Sequence, residues 1–172
     1  MLLLKSVDGS VLWLLEDNAA SARNLRKEAA KRGVDPARLV FAPRAASADH
    51  LARHRLADLF LDTFPYNAHT TASDALWAGL PVLTRMGESF ASRVAASLLN
   101  AIGLPDLVTT SIEDYKAKAL ALARNPAQLA ILRQTLADNR LTHPLFDVQL
   151  AARNLEAAYV RMLERRHAVA KI

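Results

Sequence analysis

The chain has 172 residues, 52% of them hydrophobic, with only five glycines, which suits one helix-leaning globular domain with a full core. It has no cysteine, its five histidines lack the short paired spacing of a zinc site, and no apolar run approaches the ~20 residues of a membrane span. The formal charge of +5 is spread along helical stretches without interleaved aromatics, which argues against nucleic-acid binding and fits an arginine-rich surface or an anionic small ligand.

The opening Met1-Leu-Leu-Leu-Lys5 is too short for a signal peptide, so a soluble cytoplasmic protein is expected. Val11-Leu-Trp-Leu-Leu15 is a continuous apolar run and predicts a buried parallel strand. Helical spacing follows over 18–33, with Asn18 or Ser21 as cap and Gly33 as stop. Leu39-Val-Phe-Ala42 is a second strand, closed by Pro43. A helix then starts at Ser47, read as its N-cap, and places His50 and Arg53 on one face. Leu59-Phe-Leu-Asp62 is a third strand and Pro81-Val-Leu-Thr84 a fourth. One helix is predicted over 89–102, capped by Ser89, and Leu107-Val108-Thr109 is a brief fifth strand. Ser111-Ile-Glu-Asp114 is a capping box that starts a helix to about Arg124. Asn125-Pro126 begins another to about Arg140. The last helix covers 145–166, with Leu150, Leu155, Ala158, Tyr159 and Met162 on one stripe.

This alternation predicts an α/β fold, a Rossmann-like parallel sheet with helices on both faces. The expected organisation is a single lobe over 1–172, with a sheet core at 1–110 and extra C-terminal helices at 111–172. Those helices either wrap the core or pack on something else.

Between the third and fourth strands lies the stretch richest in chemistry, His69-Thr-Thr-Ala-Ser-Asp74. A helix starting here leaves unpaired N–H groups and partial positive charge, a ready anion site to which Thr70 and Thr71 add hydroxyls. Asp74 falls on the same face one turn later. A phosphate at the tip and a carboxylate one turn away fit a nucleotide, with Asp74 accepting from ribose hydroxyls. No glycine-rich phosphate loop and no hydrolase elbow is present. His69 reads equally as a phosphate contact or as a polar turn residue. Asp58 and Asp62 read as a metal pair or, more simply, as a turn cap and an organiser of the 63–68 connector. Trp77 and Leu76 read as core, Arg85 and Glu88 as loop structure, and Arg93 as half of an internal salt bridge.

The run LADLFLDTFPYNAHTTASDALWAGLPVLT, followed by GESFASRVAASLL, resembles the C-terminal catalytic lobe of the O-GlcNAc transferase family, the SPINDLY-like and bacterial tetratricopeptide-linked transferases. SVLWLL at 10–15, RLVFAP at 38–43, HLARHRLAD at 50–58 and PLF at 144–146 extend the likeness over nearly the whole chain. The resemblance implies the C-terminal half of a two-lobe GT-B enzyme that transfers a sugar from UDP-GlcNAc to protein hydroxyls, with inversion and with no metal or other cofactor. It implies that Thr70 and Thr71 hold the diphosphate beside His69 and that Asp74 takes the ribose. It further implies that His50 and Arg53 line the nucleoside pocket while the backbone near Ala45 meets the uracil edge.

Two departures matter. Ser47 stands where the family often has a lysine before the pocket histidine. The family's upstream diphosphate lysine, N-terminal lobe with acceptor face and proton-transfer residues, and tetratricopeptide array have no counterpart in this stretch. No catalytic residue is therefore expected here, and the isolated chain is expected to lack full activity. The alternative is a degenerate lobe serving as an interaction or assembly module, with homo-oligomerisation through the final helix.

Overall fold

The structure is a computed structural model and describes residues 1–169. Five short strands form where the apolar runs predict them: β1 (Leu12–Leu15), β2 (Leu39–Ala42), β3 (Phe60–Leu61), β4 (Val82–Arg85) and β5 (Val108–Thr109). Every pairing is parallel. The strands do not make one ladder. β1 pairs with β2, and β3-β4-β5 make a separate ladder.

A helix that the sequence reading missed joins the two ladders. This α1 (Leu2–Ser6) is too short for helical periodicity to register. Its Leu3 packs against the cluster of Leu83, Tyr115 and Ala119 around one ladder, while Leu4 is buried with Leu39 of the other and with Ala29 and Val34 beside it. Side-chain packing through α1 thus connects them. Arg38 holds α1 in place. Its guanidinium donates to the Val7 and Ser10 carbonyls, each at 2.7 Å, to the Ser10 hydroxyl at 2.8 Å, and to the Leu4 carbonyl. Arg38→Ala strands these acceptors and is expected to cost about 2 kcal/mol, read as a lower urea midpoint at unchanged slope.

β4 is the centre of the larger ladder, and its alternation puts helices on both faces. Val82 points into a cluster with Leu76 of α4 (Thr70–Trp77), Leu99 of α5 (Val94–Ala101) and Leu136 of α7 (Pro126–Asn139). Leu83 points the other way, to Tyr115 and Ala119 of α6 (Ile112–Ala123). Both residues are fully buried. α2 (Ala19–Lys31) covers the smaller ladder and is capped by Asn18, whose Oδ1 accepts from the Ser21 N–H at 2.8 Å. The capping box at Ser111 and Asp114 forms, with the Asp114 N–H donating to Ser111 Oγ at 2.9 Å.

Four expectations need correction. Ser47 is not a cap but the first residue of α3 (Ser47–Arg53); Ala46 holds the cap position and offers no side-chain acceptor. The helix predicted over 89–102 is a 3-10 turn at Phe90–Ser92 followed, after Arg93, by α5. Gly87 explains the break. Its N–H donates to the Ser92 carbonyl at 2.9 Å, and a Cβ on Gly87 would lie 2.6 Å from Ser92 Oγ, so the loop presses directly on the turn. Arg93 is exposed and has no ion pair among the described residues, because its position between turn and helix points it outward. Trp77 is 44% exposed, unlike its fully buried neighbour Leu76; it packs edge-on against Phe146 and beneath the Arg140 guanidinium.

The last helix, α8 (Val148–Val169), presents its apolar stripe to solvent, with Leu155, Tyr159 and Met162 each more than half exposed. No helix among the described residues is long and apolar enough to cross a membrane.

Candidate functional site

The site is built on the segment leaving β3. Asp62 directly follows that strand and is 3% exposed. Its Oδ1 accepts from the Thr63 N–H at 2.8 Å and from the Ala68 N–H at 2.7 Å, and its Oδ2 accepts from the Thr84 hydroxyl at 2.6 Å. The Tyr115 hydroxyl donates to the Asp62 carbonyl at 2.9 Å. Both ends of the connector Thr63–Ala68 are therefore pinned to one carboxylate oxygen. Burial pushes the Asp62 carboxyl above the usual carboxylate range, against the pull of Thr84, Ala68 and Thr63. A raised carboxyl makes the fold less stable as pH rises through its pKa, so keeping Asp62 ionised at neutral pH costs stability. Asp58 is exposed and pairs with Arg133 at 3.2 Å, while Asp62 organises the connector.

The connector delivers the chain to α4. His69 occupies its N-cap position without a side-chain cap, and its carbonyl accepts from the Ala72 and Ser73 N–H groups, both at 3.1 Å. Thr70 and Thr71 are exposed, and no acceptor among the described residues takes their N–H groups. These two residues, with Asp62, Asn67 and His69, line a cavity of about 590 Å³. The His69 ring stacks on Tyr66 at 5.0 Å and meets Phe90 edge-on at 6.1 Å, and its Nε2 is buried without a partner. Asn67 donates to the Thr63 carbonyl at 2.8 Å, while its Oδ1 is also buried and unpaired. Arg85 lies over the Phe64 ring, and its Nε is buried without a partner.

α3 carries the other predicted pair, and neither His50 nor Arg53 lines that cavity. Arg53 donates to His50 Nδ1 at 2.7 Å and to the Pro43 carbonyl at 2.8 Å. A guanidinium has no acceptor, so His50 Nδ1 accepts and its Nε2 carries the proton. Burial first, then the charges of His54 and Arg53, lowers the His50 pKa, and the Asp74 carboxylate opposes them. Ala45 is exposed between β2 and α3; beside it the Pro43 carbonyl accepts from Arg53 and the Ala46 carbonyl from the His50 N–H, both at 2.8 Å.

The sequence reading missed His54, whose ring meets His50 edge-on at 4.6 Å, and the Thr84 and Tyr115 partners of Asp62. An aspartate closing an apolar strand before a turn-rich segment was the available signal for Asp62. Thr84 and Tyr115 are 22 and 53 residues away from it, beyond any local pattern.

The profile of glycosyl transferase family 41 matches residues 1–155. The chain is 44% identical over 161 residues to a probable UDP-N-acetylglucosamine–peptide N-acetylglucosaminyltransferase SEC of Arabidopsis thaliana, covering 93% of this chain and 16% of that protein. It is 39% identical over 163 residues to the UDP-N-acetylglucosamine–peptide N-acetylglucosaminyltransferase of Caenorhabditis elegans, covering 95% and 14%. A solved mutant O-GlcNAc transferase of Thermobaculum terrenum matches with a TM-score of 0.86 at 34% identity, over 93% of this chain and 31% of that one. The chain spans less than a fifth of the length of these curated relatives.

Proposed function

The chain belongs to glycosyl transferase family 41, and on that premise we propose that it is the donor-binding lobe of an inverting protein O-glycosyltransferase. The donor is a UDP-sugar, with UDP-GlcNAc the first choice from the names of its relatives, and the acceptor is a protein hydroxyl. The observation that carries the reading is the α4 tip: the unpaired N–H groups of Thr70 and Thr71 open on a cavity of about 590 Å³. Asp74 stands on the same helix as the tip, and the His50–Arg53 pair on α3.

The chemistry assigned to these residues is electrostatic. As the sugar–phosphate bond breaks, negative charge grows on the departing UDP. Preorganised N–H donors at a helix tip stabilise it most when that charge is largest. His69 contributes beside the diphosphate, Asp74 accepts from the ribose, and His50, Arg53 and the Ala45 backbone hold the nucleoside. The bound form needs no metal in this reading, and deprotonation of the acceptor is left to residues outside this chain.

Isothermal titration with UDP tests the proposal. The parent should bind, and Thr71→Ala and Asp74→Ala should each bind about tenfold more weakly. No binding to folded parent at millimolar UDP would end the ligand claim for this lobe.

One observation favours a second reading. The exposed stripe of Leu155, Tyr159 and Met162 on α8 is what an assembly module would present. That reading requires a concentration-dependent mass in light scattering and indifference to UDP.

A further inference from the structure

Asp62 is a negative charge buried beneath a site read as binding an anion. A like charge there opposes the ligand, and its burial costs folding stability. Its hydrogen bonds explain why this residue type stands there. Three donors converge on one carboxylate: the Thr63 N–H and the Ala68 N–H on Oδ1, at 2.8 and 2.7 Å, and the Thr84 hydroxyl on Oδ2, at 2.6 Å. An ionised carboxylate has only acceptors and can satisfy all three at once. Thr84 is itself fixed, since its carbonyl takes the Thr109 hydroxyl at 2.9 Å. A chain of bonds therefore runs from β5 through β4 to Asp62 and on to Ala68, the residue just before the α4 cap. The connector is also closed on itself. Thr63 Oγ1 donates to the Tyr66 carbonyl and Asn67 Nδ2 to the Thr63 carbonyl, both at 2.8 Å. With its first and last N–H groups on one oxygen, this closed loop is tied at both ends to Asp62.

We propose that Asp62 is a positioning residue that fixes where α4 begins, and so where the Thr70 and Thr71 N–H groups point. This rests on the reading of that tip as the diphosphate site. The carboxylate trades fold stability for a preset tip geometry, and the ligand then meets donors that need no rearrangement.

The experiment compares parent, Asp62→Ala, Asp62→Asn and Thr84→Val as full chains. UDP affinity is read by titration and Ala68 amide exchange by NMR. Asp62→Ala frees the connector and should weaken UDP by about tenfold or more, with Ala68 exchange faster by a similar factor. In Asp62→Asn the Oδ1 still accepts from both N–H groups, and Thr84 can turn to accept from the new amide. Affinity should stay within about threefold of the parent and Ala68 should stay protected. A residue needed only for stability would lower the melting point and leave the affinity of the folded fraction alone. A folded Asp62→Ala that binds like the parent, or an Asp62→Asn that fails as badly as Asp62→Ala, overturns the inference while the donor-site reading stands. A parent that binds no UDP overturns both. Should Asp62→Ala not fold, Thr84→Val decides: affinity and Ala68 protection must fall together, and lost protection at parental affinity overturns the inference.

Discussion

Thr71→Glu is expected to weaken UDP binding by about a hundredfold or more while leaving the fold as stable as the parent or slightly more so. Thr71 is the second residue of α4 and is exposed, so the larger side chain meets no packing obstacle. For the helix alone, a carboxylate in the first turn is favourable by about 0.3–1 kcal/mol. For a diphosphate at the same tip, a like charge about 4 Å away costs about 4 kcal/mol at the effective dielectric of a protein surface. Even half of that, added to the lost hydroxyl, approaches the roughly 2.7 kcal/mol of a hundredfold change. The opposite signs make the substitution informative. Titration with UDP and a thermal melt on the same sample check it. Affinity within about threefold of the parent would place the anion elsewhere, and a fall in melting temperature would point to structural damage in place of repulsion.

How far the site was readable follows from how local each part is. Thr70, Thr71 and Asp74 lie within one and a half turns of a helix whose start is marked by a turn-rich segment, so spacing alone sets their common face. His50 and Arg53 are three apart and meet as spacing requires, at 2.7 Å. Parallel strands were likewise legible as apolar runs bounded by turn residues. What escaped depends on contacts between distant segments. Nothing local in Thr84 or Tyr115 marks them as partners of Asp62. The five-residue α1 is held by Arg38 more than thirty residues away, so no window of its own sequence reveals it. The separation of β1–β2 from β3-β4-β5 is a fact of backbone pairing, which strand-like composition does not encode. Ser47 misled because a serine before a helical run is a good cap by type, whereas the chain enters α3 one residue earlier.

Leu76 and Trp77 put the same lesson in energetic terms, and their alanine variants should differ sharply. Both are large and apolar on α4, and sequence pattern assigns both to the core. Leu76 is fully buried against β4, α5 and α7, so Leu76→Ala removes packed methyl groups and leaves a cavity, at an expected cost of about 3 kcal/mol. Trp77 keeps water on nearly half its surface, with an edge contact to Phe146 at 5.1 Å and the Arg140 guanidinium 5.3 Å above its ring. Trp77→Ala should cost only about 1 kcal/mol. Urea unfolding of the two variants checks the contrast; equal losses would contradict the burial that separates them. Against a typical total of about 5–15 kcal/mol, the Leu76 loss is a large share of the fold's stability. It also bears on function, because α4 carries the tip. UDP at about a hundred times its dissociation constant adds about 2.7 kcal/mol to any folded variant whose tip is intact. Leu76→Ala should therefore recover most of its lost stability under UDP. A parent that is stabilised beside a Leu76→Ala that is not would mean that the new cavity had disturbed the Thr70–Thr71 tip from one and a half turns away.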